Sequence, residues 1–576
     1  MREHPYIEGH MPEQGTYLPE CLDEVISPEN PIRFIRTFVM QLDLIGMGFV
    51  RSEARETGRP GYDPAVLLML YIYGHLNRIR SSRMLERECR RNIELWWLLD
   101  RLVPDHNTIA DFRKDNRKAL KNLLKVFVRL CVEMGLVKGG RICVDGTPVK
   151  AVNGLKQSTS MELSEKKLQY AKDQLALVDA YLNDLDEADR LDQGRLDKAF
   201  ALDIDPKHLP DPNDIKTRIK KHEDAIREMK ETGETQLLFT DPEARVMLTK
   251  DGGKRACYNI QAATDAQSHM ILGFQVTNDR NDMNKLCTTA KTAMENTGNT
   301  SVEAVADKGY SSSKDVEECL LNGIAPQVGM ICDREERVVN LEYRPVKITE
   351  EKRASQRPED IRDCLHAGIL PKCYENADIT IELARESVLS CFIRHEDGSI
   401  TCPMGKVMLF QGAKKNGIVY GSKNACRTCP NRCTDGKTFK TVKFGPQTKY
   451  VPVKMYGSPR YALQTIPDVT QPDHYHAFSR VSRAPARVMI YIKRNVDKLK
   501  ERFRVSEHPF GTIKFYDGAY FFLCKGKEKV AAETSLIFTS YNIRRAISLA
   551  GGVQNLIRRM MVAKTRAESQ GIFMSI

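Results

Sequence analysis

Long apolar runs are missing from this 576-residue chain. None approaches the roughly 18 residues that a membrane-spanning helix needs, so no spanning segment is expected. The opening stretch, MREHPYIEGH, carries charges and no apolar centre, which excludes a secretory signal of the usual build. Aromatic residues are few, 7% of the chain within a hydrophobic share of 41%, a balance that suits ordinary globular domains. A disulfide framework is lacking too. The 16 cysteines are mostly single and scattered, as at Cys21, Cys131, Cys143, Cys287 and Cys524. In a reducing compartment such residues act as small buried apolar groups. These absences lead to the expectation of a soluble, cytoplasmic protein.

What is present points elsewhere. The chain is longer than one growing core accommodates, so several domains are expected. Its net charge is +12, and the surplus is uneven: from Arg480 onward 19 Lys and Arg face 7 Asp and Glu. The rest of the chain is therefore close to neutral. A basic C-terminal segment suits a polyanion partner, most simply nucleic acid; a solubilising surface is the alternative.

The pattern changes several times along the chain. Residues 1–138 read as helical. Asp63-Pro64 opens a helix, AVLLMLYIYGHL (65–76) is apolar nearly all round and so buried, SSRMLERECRRN (81–92) is amphipathic, and 104–136 reads as one long helix. These short helices with exposed Arg and Lys fit a helix-turn-helix DNA-binding domain or a small bundle. A strand, RICVDGT, ends at Asp145 and belongs to a first core segment, 139–160. An inserted helical hairpin follows over 161–240, with Leu168, Leu175 and Leu182 on a heptad seam beside Ala171, Val178 and Leu185; it serves as a scaffold or dimerisation arm, or as an exposed spacer. The second core segment, 241–330, holds the hairpin CYNIQAATD/HMILGFQVT and the strand SVEAVA ending at Asp307. Residues 331–480 form a β-leaning insertion with clustered cysteines. The last segment, 481–576, reads as strongly helical over 485–504 and carries the basic tail. With both insertions removed, the order strand, strand, strand, helix, strand, helix, strand, helix matches an α/β, ribonuclease-H-like core.

That order brings acids together. Asp145 and Asp307 end neighbouring strands although 162 positions separate them, and Glu507 on a later helix closes a third corner. A lone Asp at a strand end is most often a turn or cap residue; three acids on the right elements in the right order are harder to obtain by chance. Clustered carboxylates repel unless cations neutralise them. Mg²⁺ prefers oxygen ligands and takes carboxylates with phosphate oxygens. Two such ions serve an in-line phosphodiester displacement. In VSEHPFGTIKF (505–515), Glu507 precedes Lys514 by seven residues, two helical turns, so both share a face. His508, Pro509 and Gly511 are expected to shape the start of the helix that aims Glu507.

DGTPVKA (145–151), YNIQAATD (258–265), ADKGYSS (306–312) and SEHPFGTIK (506–514) resemble the motif blocks of bacterial insertion-sequence DDE transposases, the insertion sequence 1182 group above all. Residues 58–114 resemble the helical domain that precedes catalysis in that family. The resemblance implies a DNA transposase acting on terminal inverted repeats and target DNA, associated with the nucleoid, as a homodimer or higher oligomer. It implies Asp145, Asp307 and Glu507 as the catalytic triad holding two Mg²⁺ or Mn²⁺ ions. Lys514, Arg502 and Lys150 are the expected contacts to DNA phosphates. Glu507 and Lys514 supply the E-x6-K half of the family's Y-R-E-K signature; Lys500 stands where the tyrosine is usual, and the arginine is Arg502, one residue off. A nuclease of the same fold without strand transfer, or a domesticated DNA-binding protein, are the rival readings.

Cys402 and the group CRTCPNRC, with Cys426, Cys429 and Cys433, supply four thiolates, enough for a tetrahedral structural zinc site. Unpaired structural cysteines and a redox pair are the other readings of the cluster.

Overall fold

The computed structural model describes residues 21–50, 61–154, 157–190, 211–249, 252–330, 335–385, 387–395, 399–414, 417–429, 438–444, 450–452, 463–465, 475–481 and 485–569. It divides into two compact units. Met1–Cys319, Pro326–Ile331 and Val496–Ile576 form the first; Leu320–Ala325 and Cys332–Asn495 form the second.

The first unit begins with helices α1 (Pro31–Val39), α2 (Pro64–Leu76), α3 (Ser82–Arg91), α4 (His106–Asp115) and α5 (Arg117–Glu133). The Asp63 carboxylate accepts the Ala65 N–H and Pro64 takes the first turn, where its missing N–H costs nothing. Every residue from Pro64 to His75 is buried, as an all-round apolar helix requires. The single helix expected over 104–136 is two. Asn116 divides them: its side-chain amide donates to the Phe112 carbonyl and its Oδ1 accepts the Val50 N–H, so a side chain competes with the helical backbone there.

A mixed sheet follows, built from β1 (Arg141–Lys150), β2 (Arg245–Leu248), β3 (Lys254–Asp265), β4 (Ile271–Thr277), β5 (Val302–Ala306) and β6 (Ile324–Val328). Its order is β2-β3-β1-β5-β6, with β4 also paired to β3. β1 runs antiparallel to β3 and parallel to β5. Asp145 lies in the middle of β1 rather than at its end, as expected from sequence. The Asp-Gly and Pro signals of DGTPVK read as a turn, but the long strand β3 pairs with β1 through to Lys150 and overrides them. Helices α8 (Leu286–Thr297) and α9 (Ser313–Leu320) flank β5 in sequence, and α10 (Val496–Gly511), α11 (Lys527–Ala550) and α12 (Val553–Ser569) complete the unit. The Asn542 side chain on α11 bonds both the N–H and the C=O of Ile271, pinning that helix to β4. α12 follows α11 directly along the chain.

Helices α6 (Met161–Arg190) and α7 (Pro212–Thr232) pack together through Ala171, Val178 and Ile215, with Leu175 and Ile219 partly buried. Of the expected heptad seam, Ala171 and Val178 are buried and Leu175 packs against them, whereas Leu182 is 46% exposed. The Leu185 side chain, and residues 203–210 of the stretch DIDPKHLPDPND (203–214) that the sequence marks as a Pro/Asp-rich break, lie outside the described residues.

In the second unit, Ile379–Ala384, Arg487–Lys493 and Glu336–Glu342 form a three-stranded antiparallel sheet, and a six-stranded sheet surrounds a small core of Phe392, Ile400, Met408, Tyr420 and Val442. The helix expected over 485–504 is thus a strand followed by α10. RVMIYIK buries alternate residues, Val488, Ile490 and Ile492, a period of two that favours a strand. Among the described residues no helix is long and apolar enough to cross a membrane.

Candidate active site

Parallel pairing sets Ile142 opposite Ala304 and Cys143 opposite Val305. Side chains alternate along a strand, so two residues further on Asp145 and Asp307 share the face that Cys143 and Val305 begin. Val505 of α10 packs on Cys143 and Val305, with Leu499 beside it. Polar contacts fix the far end of that helix: Arg141 Nε lies 2.6 Å from Glu303, Arg141 Nη1 3.2 Å from Glu501, and Lys498 also pairs with Glu303.

Asp145 is surrounded by named groups. Gly146 N–H donates to its Oδ1 at 2.9 Å, and Arg502 Nη1 stands 3.6 Å from its Oδ2. Burial pushes the Asp145 carboxyl above its ordinary range; Arg502 opposes that, Asp307's charge reinforces it, and hydrogen bonds from Gly146 and Ser506 oppose it. Asp307 Oδ1 accepts the Gly309 N–H at 2.8 Å, capping a single turn, Lys308–Tyr310. The structure thus brings Asp145 and Asp307 together. On α10, the residues at Asp145 are Arg502 and Ser506; Glu507 is the next residue along and is exposed.

The helix arrives differently from the expectation. Pro509 and His508 lie in the last turns of α10, not at a helix start, and Thr512–Tyr516 continues as a π-type turn. A proline disturbs the carbonyl four residues earlier, which is tolerable where the helix is ending. His508 Nδ1 lies 3.1 Å from the Tyr541 hydroxyl and its ring faces His269, so its visible partners are these and not Glu507. Lys514 Nζ donates to the Thr147 hydroxyl and, at 3.0 Å, to the Pro148 carbonyl. Lys150 lies 5.8 Å from the Tyr520 ring centroid.

Sequence reasoning, which named Glu507 as the third acid, missed a further one, Asp282. Asp282 Oδ1 accepts from the side-chain amides of Asn259, at 2.9 Å, and Gln261, at 2.6 Å. Gln261 Oε1 in turn accepts the Tyr310 hydroxyl. Tyr310 is held well above its ordinary pKa by burial first and by Asp282, Asp145 and Asp307, so it keeps its proton and donates. Glycines make room: a Cβ on Gly146 would collide with Asp282 and Gln261, and one on Gly309 would stand 2.9 Å from Asp307 Oδ1 and 3.7 Å from Asp282 Oδ2. The available signal was the loop NDRND (278–282), which reads equally well as a polar turn.

The cysteine cluster lies in the second unit. Cys402, Cys426 and Cys429 are half-buried, and Cys433 lies outside the described residues. Cys402 Sγ accepts the Lys406 N–H at 3.4 Å across a tight turn containing Gly405, which has φ +70. Among the described residues, Cys287, Asp315 and Cys319 are the one group whose ligand atoms lie within 4.8 Å of one another. The Asp315 oxygens there accept the Leu286 and Cys287 N–H groups at the start of α8, and burial holds the Cys319 thiol well above its ordinary pKa. That group is a buried contact between two helices.

Comparison with known proteins adds two matches. Residues 20–115 match the model of a transposase domain, DUF772. Residues 217–398 match the model of the transposase DDE domain, a span that contains Asp282, Asp307 and Tyr310 but neither Asp145 nor Glu507. No curated protein matches the chain. Two separate stretches of the chain are thus similar to transposase domains, the second of them to a DDE domain.

Proposed function

We propose that the chain is the transposase of an insertion sequence of the 1182 group. It binds the terminal inverted repeats of its own element as a dimer or higher oligomer, cleaves there, and joins the liberated 3′-hydroxyl to target DNA. The observation that carries this reading is the register of β1 with β5, which sets Asp145 beside Asp307 under α10. The strand order around β1 supports a ribonuclease-H-like core, with the helices of residues 1–138 reading DNA sequence and phosphates positioning it.

The donors at the site are carboxylate oxygens, which suit a hard divalent cation. Arg502 Nη1 is buried there without a hydrogen-bond partner, so positive charge is already drawn to this place. Asp145, Asp307 and Glu507 are the residues we assign to hold two Mg²⁺ or Mn²⁺ ions, which supply an activated oxygen nucleophile and stabilise the leaving oxygen. Arg502 favours the ionised form of Asp145. Tyr310, anchored to Gln261, holds the turn that presents Asp307. Lys514, Arg502 and Lys150 are assigned to DNA phosphates, where cations position the backbone without reading sequence.

Labelled element ends and a plasmid target test the reading. Joined products support transposition; nicks alone reduce the activity to a nuclease. Glu507→Ala is expected to keep DNA binding and lose cleavage, and undiminished cleavage removes Glu507 from the site.

Cys402, Cys426, Cys429 and Cys433 are assigned to one structural zinc ion, supported by the turn that aims a backbone N–H at the Cys402 sulfur. Metal content of the purified chain tests this: Cys429→Ser is expected to lose one zinc per chain.

A further inference from the structure

Aromatic residues are scarce in this chain, yet four lie outside the core within one short segment beside the candidate site. Phe515 is 89% exposed, Tyr516 57%, Tyr520 52% and Phe521 36%. An exposed Phe forgoes the burial free energy that a core position provides, so Phe515 contributes little to holding the fold. The segment leaves α10 through the π-type turn Thr512–Tyr516 and bends back at Gly518, with φ +66.

Cations are interleaved with these rings. The Arg78 guanidinium lies 3.9 Å from the Tyr516 centroid, Arg80 5.1 Å from Phe521, and Lys150 5.8 Å from Tyr520. Arg78 adopts a left-handed backbone, φ 62, a conformation that costs a non-glycine residue free energy. Asp517 and Glu533, the acids nearest the segment, are buried and paired with Arg544 and Arg80. The Arg80 side chain is itself buried in its pair with Glu533, so what faces solvent is the four rings with the exposed Arg78 and the half-buried Lys150.

The ledge is continuous with the site. The Lys150 N–H donates to the Tyr520 carbonyl and the Phe522 N–H to the Lys150 carbonyl, while Lys514 bonds Thr147 and Pro148. It thus starts two residues along β1 from Asp145.

We propose that this ledge binds unpaired DNA bases next to the cleaved phosphate. Aromatic faces between cations complement single-stranded nucleic acid, whose bases stack on the rings while the phosphates meet the charges. Paired bases keep their faces inside the duplex and cannot use such rings. The inference rests on the proposed function and adds to it a substrate form: an end whose terminal nucleotides are splayed apart.

The test uses the full chain and a duplex of fixed sequence, either blunt or carrying a short unpaired end labelled with 2-aminopurine. The unpaired end is expected to bind at least about fivefold tighter than the blunt duplex, with quenching of the label. Phe515→Ala is expected to lose most of that preference and the quenching while keeping blunt-duplex affinity and Tm; Phe515→Leu, apolar without a π face, is expected to behave like Phe515→Ala. A wild-type chain that binds no DNA overturns the proposed function itself. A wild-type chain that binds both duplexes equally overturns only the ledge. If Phe515→Ala instead abolishes self-association and leaves the unpaired-end preference intact, the ledge is an interface between copies and the inference is wrong.

Discussion

Arg502 Nη1 stands 3.6 Å from Asp145 Oδ2, inside the site where the protein's own acids converge. A guanidinium at that distance partly neutralises Asp145 and repels any second cation. Arg502→Gln removes both effects. In the absence of DNA the variant is expected to bind Mn²⁺ about tenfold tighter than wild type, on the order of 1.4 kcal/mol. Calorimetric titration of the DNA-free chain reads this directly, and unchanged or weaker binding means Arg502 does not compete for the site.

Tyr310 controls Asp307 at one remove. Its hydroxyl ends a chain of side-chain contacts through Gln261 to Asp282, and it sits three residues after Asp307 in the turn that Asp307 caps. Tyr310→Phe keeps the buried ring and removes the donor, leaving Gln261 Oε1 short of a partner. A lost buried hydrogen bond costs about 1–3 kcal/mol. Cleavage is expected to fall about tenfold, with DNA affinity unchanged. Equal cleavage by the two proteins at matched DNA occupancy removes Tyr310 from the positioning chain.

Arg80 and Glu533 form a buried pair at 2.7 Å, with the Glu533 carboxylate also accepting the Leu523 and Cys524 N–H groups. Glu533 is fully buried, so removal of its cation strands a charge. Arg80→Leu is expected to destabilise the chain by about 3–5 kcal/mol, whereas the double variant Arg80→Leu, Glu533→Leu recovers part of the loss. Denaturant unfolding of the three proteins decides it; an additive double variant refutes coupling.

Local pattern carried much of this architecture and failed at definable places. Asp307 was legible because SVEAVA is a short apolar run bounded by a polar turn. Asp145 was legible as an acid on a strand, but not as a mid-strand residue, because Gly146 and Pro148 imitate a turn and only the partner strand shows otherwise. The strand Arg487–Lys493 adjoins a true helix, and its period of two was absorbed into that longer signal. The polar loop NDRND did not single out Asp282, because its setting depends on the amides of Asn259 and Gln261 on β3 and on glycines at 146 and 309 whose missing side chains leave it space. The seven-residue spacing of Glu507 and Lys514 assumed one continuous α-helix, whereas α10 ends at Gly511 and Lys514 lies in the π-type turn that follows, where it engages β1.

His75 is fully buried on α2, and burial first, then Arg80 and Arg113, pushes its pKa from 6.5 down to about 3. Above the unfolded value both folded and unfolded chains hold a neutral imidazole, so stability is independent of this group. Below it the unfolded chain takes up a proton that the folded chain refuses until the folded pKa is reached. Stability is therefore lost as pH falls through that window, at about 1.4 kcal/mol per unit. Replacing the imidazole by an apolar group of similar size removes the linkage. Between the unfolded pKa and about pH 5, wild type is expected to lose about 2 kcal/mol more than His75→Leu in denaturant titrations. Parallel pH profiles for the two proteins would falsify the assignment of a buried neutral histidine at this position. A steeper profile in wild type, running parallel to that of the variant again only below the folded pKa, bears it out.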